Sequence, residues 1–161
     1  MCLQSLWVLD LRYTEWDDIL SEENMDIMTN LRELNIEGFM CWQLISSRLQ
    51  GRLCCLQKLR IIKPTHKAEM PSIDCYNSFV DKTDLEILDL SGNRDMENLP
   101  ANLSMAKSLQ MLILDGCDGL ENVAVPDGLH SSLRSFSFDG YGPATKWASS
   151  FKLSQEFSEP K

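Results

Sequence analysis

Histidine is scarce in this chain, and its scarcity bears first on catalysis. His66 and His130 are the only two among 161 residues. Neither lies in the H-E-x-x-H pattern of zinc hydrolases, and no G-x-S-x-G nucleophile motif is present. We therefore expect that the protein is not an enzyme.

Positive charge and long apolar runs are also in short supply. Fifteen lysines and arginines face 24 acids, which gives a formal net charge of −9 and argues against nucleic acid or an anionic membrane as the partner. No run approaches the roughly 18 apolar residues of a membrane span. The start, MCLQSLWVLDLRYTEW, lacks the features of a secretory signal. These absences predict a cytoplasmic protein.

The six cysteines have no metal-binding spacing. They form no C-x-x-C pair and have no paired histidines nearby, so we expect no metal and no cofactor. Reduced, partly buried thiols are the expected state, which fits the cytosol. The cysteines are Cys2, Cys41, Cys54, Cys55, Cys75 and Cys117.

What the chain does have is one recurring pattern, which we call the frame. An apolar residue is followed by two free positions, a second apolar residue, one free position and a third apolar residue. The steps between successive middle residues are 25, 25, 29, 24 and 24 residues. The six copies are Leu6, Leu9, Leu11; Leu31, Leu34, Ile36; Leu56, Leu59, Ile61; Leu85, Leu88, Leu90; Leu109, Leu112, Leu114; and Leu133, Phe136, Phe138.

A period of about 20–29 residues carrying L-x-x-L-x-L is the signature of leucine-rich repeats. In a strand, alternate side chains face opposite ways, so Leu34 and Ile36 share one side and Asn35 takes the other. One repeat cannot bury its leucines, whereas stacked neighbours close a continuous core. We therefore predict an α/β leucine-rich repeat solenoid, or horseshoe, of about six repeats. Its parallel sheet lines the concave face, and the convex returns are irregular or short helices.

The repeats leave no room for a second domain. The array is expected to fill residues 1–140, and residues 141–161 are expected to form an irregular tail or an incomplete repeat. Leu3 already belongs to a repeat, which leaves no sequence for the polar unit that caps a solenoid. The chain is therefore expected to be a fragment of a longer protein.

Two local features lie outside the frame. Residues Ser21–Leu31 read as a short helix, with Ser21 as its N-cap and early acids at its positive end. A bulging loop is expected over Lys63–Phe79, because Pro64 and Pro71 oppose regular structure there. The boundaries of the second and third repeats are the least regular part of the pattern.

The return after the fourth frame shows how the chain turns. Met96, Leu99 and Leu103 are expected to contact the core, whereas Pro100 removes a backbone donor that has no ladder partner. Asn93 lies three residues after the frame and can bond the backbone of the turn. Only some of the equivalent positions are polar, so no continuous asparagine ladder is expected. Those positions are Thr14, Phe39, Pro64, Cys117 and Tyr141.

The stretch LDLSGNRDMENLPANLSMAKSLQMLILDGCDGLENV resembles the leucine-rich repeat region of plant nucleotide-binding immune receptors, the disease-resistance proteins. The close resemblance covers Leu85–Val125, and the frame alone covers Leu3–Phe138. Those receptors show L-x-x-L-P-x-x-L between strands, matched here by Met96, Leu99, Pro100 and Leu103. They also favour L-x-L-x-x-C and a further leucine, matched here by Leu112, Leu114, Cys117 and Leu120.

The resemblance implies a recognition role. In that family the region senses an effector or a modified host protein and holds a nucleotide-binding switch off until then. The switch is missing here, because no G-x-x-x-x-G-K-[ST] loop is present to cradle phosphates. The alternative is another binding protein of the same architecture, such as a substrate adaptor of a ubiquitin ligase.

The outward strand positions are the candidate binding residues, because neither the core nor the turns dictate them. They form three predicted columns, which change from acidic to basic to apolar along the array. We hypothesise that Lys58, Arg60, Ile87, Met111 and Ile113 form a protein-binding strip, with apolar anchors beside orienting charges. The alternative is an ordinary variable surface. The columns are Asp10, Asn35, Arg60, Asp89, Ile113, Ser137; Val8, Glu33, Lys58, Ile87, Met111, Ser135; and Arg12, Glu37, Ile62, Ser91, Asp115, Asp139.

A second candidate surface is a basic segment from Arg48 to Lys67. Residues 41–70 hold six bases against one acid, in a chain that is acidic elsewhere. A solvated surface is one interpretation, and a docking patch for an acidic partner is the other. The six bases are Arg48, Arg52, Lys58, Arg60, Lys63 and Lys67.

Overall fold

The computed structural model of the protein describes residues 2–65, 77–100, 102–120 and 133–137. Within them the fold is α/β, with six parallel strands in one sheet whose order follows the chain. The strands are β1 (Val8–Asp10), β2 (Glu33–Glu37), β3 (Lys58–Ile62), β4 (Ile87–Asp89), β5 (Met111–Ile113) and β6 (Ser135–Ser137). The α-helices are α1 (Glu22–Ile27) and α2 (Trp42–Leu49). Single 3₁₀ turns cover Leu3–Ser5, Asp17–Leu20, Leu103–Met105 and Asp118–Leu120.

The register of the sheet follows the frame. The middle residue of each frame pairs with the middle residue of the next, from Leu9 to Leu34 and onward to Phe136. These side chains are buried, and their neighbours in β3, β4 and β5 are half-exposed. The predicted parallel sheet is confirmed, and its register is compatible with a solenoid.

Helix α1 begins where the sequence predicts. The Ser21 Oγ accepts a hydrogen bond of 3.2 Å from the backbone N–H of Asn24, as an N-cap should. The helix ends at Ile27, four residues before the predicted end. Met28 and Leu31 are both fully buried, so the chain must leave the helix to carry Leu31 into the first position of the next frame.

Helix α2 and the following turn build the core on the face of the sheet that carries the frame residues. Trp42, Ile45 and Leu49 are buried on one side of the helix. The Trp42 ring stacks on Phe79, with centroids 5.3 Å apart and planes 12° apart. The return after β4 packs as predicted, since Met96, Leu99 and Leu103 are buried.

A buried lysine ties the end of α2 to the next turn. The Lys82 side chain is fully buried, and its Nζ donates to the Leu49 carbonyl at 2.7 Å and to the Asp81 carboxylate at 2.5 Å. Leu49 is the last residue of α2, where the helix presents partial negative charge. The ammonium is therefore a second donor to this helix-end carbonyl, which also accepts from the Arg52 N–H at 3.1 Å.

Replacing Lys82 with methionine should lower the free energy of unfolding by about 2–3 kcal/mol, because hydrogen bonds to a charged group are lost while the apolar stem remains. Urea denaturation measures the loss. Lys107→Met is the matched control, since Lys107 is exposed, and its effect should stay below about 0.5 kcal/mol. Equal effects of the two substitutions would show that the Lys82 contacts contribute nothing specific.

Some predictions lie outside the described residues. They are the middle of the expected loop, residues 66–76, and the expected tail, residues 141–161. Phe138 and Asp139, at the ends of the last frame and of one column, lie outside as well. In the part of the chain that the structure describes, no helix has both the length and the apolar character needed to span a bilayer.

Candidate partner-binding site

The candidate site lies on the open face of the sheet, the face that carries the outward strand positions. The register places Lys58, Ile87 and Met111 side by side in one row and Arg60, Asp89 and Ile113 in the next. Neighbouring strands are about 4.8 Å apart, and residues two apart on a strand share a face. The register confirms the predicted columns that begin at Val8 and Asp10, and it pairs Glu37 with Ile62 in the third column.

Three apolar side chains meet on this face and form what we call the apolar patch: Ile87, Met111 and Ile113. Ile87 pairs with Met111 across β4 and β5, and Ile113 follows Met111 two residues along the same strand. All three are half-exposed, whereas the middle residues of the two strands, Leu88 and Leu112, are fully buried. The core on the other face of the sheet therefore does not require these three outward side chains to be apolar.

Arg60, the second predicted cation, is already engaged. Its Nη1 lies 3.4 Å from the Glu33 Oε1 and 3.3 Å from the Asn35 Oδ1, and the Asn35 Nδ2 donates to the same Glu33 oxygen at 3.0 Å. These Arg60 distances exceed the 2.7–2.9 Å or so of strong charge-assisted bonds. Glu33 therefore makes only a long contact with the guanidinium, which lies over β2.

Lys58 is the cation that borders the apolar patch directly. It is paired in register with Ile87, and none of the ion pairs within the described residues involves its ammonium. Asp89 and Asp115 lie on the other sides of the patch. Each accepts a hydrogen bond from a nearby serine hydroxyl, at 2.5 Å from Ser91 and 2.7 Å from Ser137.

The β1 end of the open face has a different character. Asp10 and Arg12 form an ion pair of 2.7 Å, and the hydrogen bonds from Arg12 hold the pKa of the Asp10 carboxyl below its usual range. The neighbouring Val8 is exposed. The β1 end of the open face therefore carries an ion pair beside an exposed apolar side chain, and Lys58 and Arg60 lie between this end and the apolar patch.

The basic segment does not form one continuous patch in the described residues. The Arg48 Nη1 donates to the Leu20 carbonyl at 2.9 Å, and the Arg52 Nε pairs with Asp26 at 2.7 Å. Both arginines therefore bridge neighbouring return segments and do not lie in a strand of the sheet. Lys67 lies outside the described residues. Docking of an acidic partner on this segment stays a prediction.

Three of the thiols, those of Cys41, Cys54 and Cys117, are poorly suited to react. Burial is the main cause that raises the pKa of Cys41 and Cys54, and it raises the pKa of Cys117 to about 12. A thiol with a raised pKa is protonated near neutral pH and is a weak nucleophile. Within the described residues, no group of three or more histidine, cysteine and acidic side chains could hold a metal ion.

The sequence pattern placed the candidate residues on one face but missed the partners of Arg60. Asn35 precedes Arg60 in its predicted column and Glu33 lies in the adjacent column, so the opposite charges of Glu33 and Arg60 on adjacent strands were the signal that could have found this contact. Comparison with known proteins adds nothing to this picture, since no family model, no curated protein and no solved structure matches the chain. Any functional assignment rests on the frame and on the open face.

Proposed function

We propose that the chain is a leucine-rich repeat solenoid that serves as the protein-recognition module of an intracellular plant immune receptor. The six in-register frames and the short return segments support the solenoid. In this proposal the open face is the concave face. The module senses an effector or a modified host protein and restrains a nucleotide-binding switch that these residues do not contain.

The apolar patch is the observation that carries the proposed binding role. Three neighbouring apolar side chains stay half-exposed on a sheet whose other outward positions are mostly polar. Single exposed apolar residues are ordinary, but a cluster that polar groups surround is typical of the centre of a protein interface. Ile87, Met111 and Ile113 would exclude water from an apolar side chain of the partner.

The surrounding charges support a fixed orientation of that partner. The Lys58 ammonium borders one edge of the patch, and the Asp89 and Asp115 carboxylates border the others. A partner that places a carboxylate over β3 and a donor over β5 would complement both. Such charges contribute more to specificity and association rate than to affinity, so the apolar contacts should dominate the binding free energy.

Placing aspartate at both Ile87 and Met111 should abolish partner binding. Charged groups in the middle of the patch must be desolvated, and loss of two apolar anchors should weaken binding by at least about 100-fold. The measurement is proximity labelling in plant cells, with the wild-type chain and the double variant each fused to a labelling enzyme. The set of labelled proteins that disappears in the double variant identifies the partner.

The control double variant is Val80→Asp with Met105→Asp. Both residues are exposed apolar side chains outside the strands, so the same number of charges is added away from the open face. Thermal unfolding, followed by circular dichroism, must show a folding transition for both double variants. Identical labelled sets for wild type and the Ile87 and Met111 variant would refute the binding role of the patch.

The sequence encoded upstream of this chain distinguishes the receptor from the alternative adaptor. A phosphate-binding G-x-x-x-x-G-K-[ST] loop upstream supports the immune receptor, whereas an F-box-like helical segment supports a ubiquitin-ligase adaptor. An immunoblot of plant tissue gives the mass of the whole protein that contains this chain. A band several times heavier than 18.4 kDa supports a larger receptor, and a band at that mass contradicts the proposed receptor context.

A further inference from the structure

A second exposed surface lies along the free side of β1, away from the apolar patch. In the described part of the sheet, β1 has β2 as its single neighbour. The Trp7 carbonyl and the Leu11 N–H both bond to β2, at 3.0 Å and 2.7 Å. Because successive residues of a parallel strand bond to opposite sides, the backbone N–H and C=O groups of Val8 and Asp10 point away from β2. We call this side of the strand the β1 edge.

The apolar core is less completely covered along the β1 edge. Leu9, the middle residue of the first frame, is 9% exposed, whereas the middle residues of the next four frames are 0% exposed. Leu6, the first residue of the same frame, is only partly buried, although the first residues of the next three frames are fully buried. A further strand that turned apolar side chains to this side would complete the burial.

Exposed aromatic side chains precede and follow β1 in the chain. Trp7 is 56% exposed, Tyr13 is 82% exposed and Trp16 is 51% exposed. The Arg32 guanidinium lies 4.2 Å from the centre of the Trp7 ring, so one of these rings already binds a cation. Tyr13 and Trp16 offer the same kind of contact to a lysine or arginine of a partner.

The charge near β1 is strongly negative. Residues 1–40 hold nine acids and two bases, a net charge of −7 out of the −9 of the whole chain. Asp10 is paired with Arg12, but Glu15 and Asp18, in the return segment after β1, are exposed and form no ion pair among the described residues. Charge complementarity therefore favours a basic partner.

We propose that the β1 edge binds an extended segment of a partner protein in which a short apolar strand is followed by basic residues. The segment adds a strand beside β1, parallel to it like every other pair in the sheet, and its backbone bonds to Val8 and Asp10. Its apolar side chains cover Leu9. Parallel addition brings the basic residues beside Glu15 and Trp16, which follow β1. The β1 edge is separate from the apolar patch, so this proposal does not depend on the proposed function.

Titration of the full chain with labelled capped peptides, followed by fluorescence anisotropy, tests the proposal. The first peptide alternates threonine with leucine and valine and ends in a lysine tail. A second peptide has a glutamate tail, and a third has the lysine tail in front of the strand. We expect the first to bind with a Kd of about 100 μM or below, about tenfold more tightly than the second and about fivefold more tightly than the third.

Two variants separate the backbone contact from the charge contact. Val8→Pro removes an N–H that points away from β2, so it should weaken the first peptide at least about tenfold while the chain still folds. Glu15→Gln with Asp18→Asn should weaken it at least about fivefold. The matched control is Asp84→Asn with Glu97→Gln, which removes two exposed acids elsewhere and should change the Kd by less than about twofold.

Amide hydrogen exchange on the wild-type chain needs no substitution and is the second measurement. The first peptide should slow exchange of the Val8 and Asp10 amides at least about tenfold, because both become hydrogen-bonded. The Leu11 amide, which already bonds to β2, should change little.

Four outcomes overturn the proposal. The first is no binding of the lysine-tailed peptide at about 1 mM. The second is equal binding of either control peptide, which would show attraction by charge alone or by the apolar strand alone. The third is unchanged binding by folded Val8→Pro. The fourth is a dimer in sedimentation whose Val8 and Asp10 amides are protected without peptide, which would place a second copy of the chain on the β1 edge.

Discussion

Asn93→Ala should lower the free energy of unfolding by about 3–5 kcal/mol, because each buried polar group left without a partner costs about 1–3 kcal/mol. The Asn93 side chain is buried and makes three bonds: its Oδ1 accepts from the Trp42 N–H at 2.8 Å, and its Nδ2 donates to the Ile61 and Leu90 carbonyls at 2.7 Å each. Alanine removes all three of these bonds, including the two that join distant segments. Urea denaturation followed by circular dichroism measures the loss.

Asn30→Ala is the matched control for Asn93→Ala. Asn30 also donates to a backbone carbonyl, that of Gln4 at 2.8 Å, but it is exposed, so water can replace the amide. Its substitution should change the free energy of unfolding by about 0.5 kcal/mol or less. A small effect at both positions would mean that the three bonds of Asn93 are replaced by other groups when the amide is removed.

Only part of the role of Asn93 was predictable from the sequence. The bond to Leu90 is local, three residues away, and the same geometry recurs at Thr14, whose Oγ1 donates to the Leu11 carbonyl at 3.0 Å. The bonds to Ile61 and Trp42 span 32 and 51 residues. They depend on how the segments stack, which the turn chemistry of a single segment does not reveal.

Helix α2 was not predicted from the sequence, because its start also depends on a distant segment. The frame predicts the strands, because a period that recurs fixes which leucines share a face, and the parallel register follows from it. The return before β3 fits no template, and Cys41 at the N-cap makes no side-chain bond to the helix. Asn93 supplies the cap from a distant turn. The buried stripe of Trp42, Ile45, Ser46 and Leu49 does have helical spacing, but the serine interrupts its apolar pattern.

The candidate site was likewise predictable only in part from the sequence. Strand alternation placed Ile87, Met111 and Lys58 together on the open face, because side-chain direction follows directly from the period of two. The engagement of Arg60 by Glu33 depends on side-chain conformations that the period leaves open. The close approach of the turns that follow β3 and β4 was not predicted, since it depends on the left-handed Lys63 and on Gly92.

Trp42→Ala should lower the free energy of unfolding by about 3–5 kcal/mol, the usual cost of removing a buried tryptophan side chain. Trp42 is 1% exposed, and its ring stacks on the fully buried Phe79. The substitution opens a cavity between α2 and the turn before β4 while leaving the backbone N–H that Asn93 caps. The loss should therefore come from packing, and Trp42→Phe, which keeps an aromatic ring against Phe79, should recover a large part of it.

Leu44→Ala controls for helix α2 itself. Leu44 lies on the exposed side of the same helix, so its truncation should cost less than about 1 kcal/mol. If Trp42→Ala and Leu44→Ala destabilise the chain equally, α2 does not pack on the core.

The combination Trp42→Ala with Asn93→Ala sharpens the test, because both residues hold the start of α2. Once one substitution has released that end, the second should cost less than it does alone, so the two losses should sum to more than the measured total.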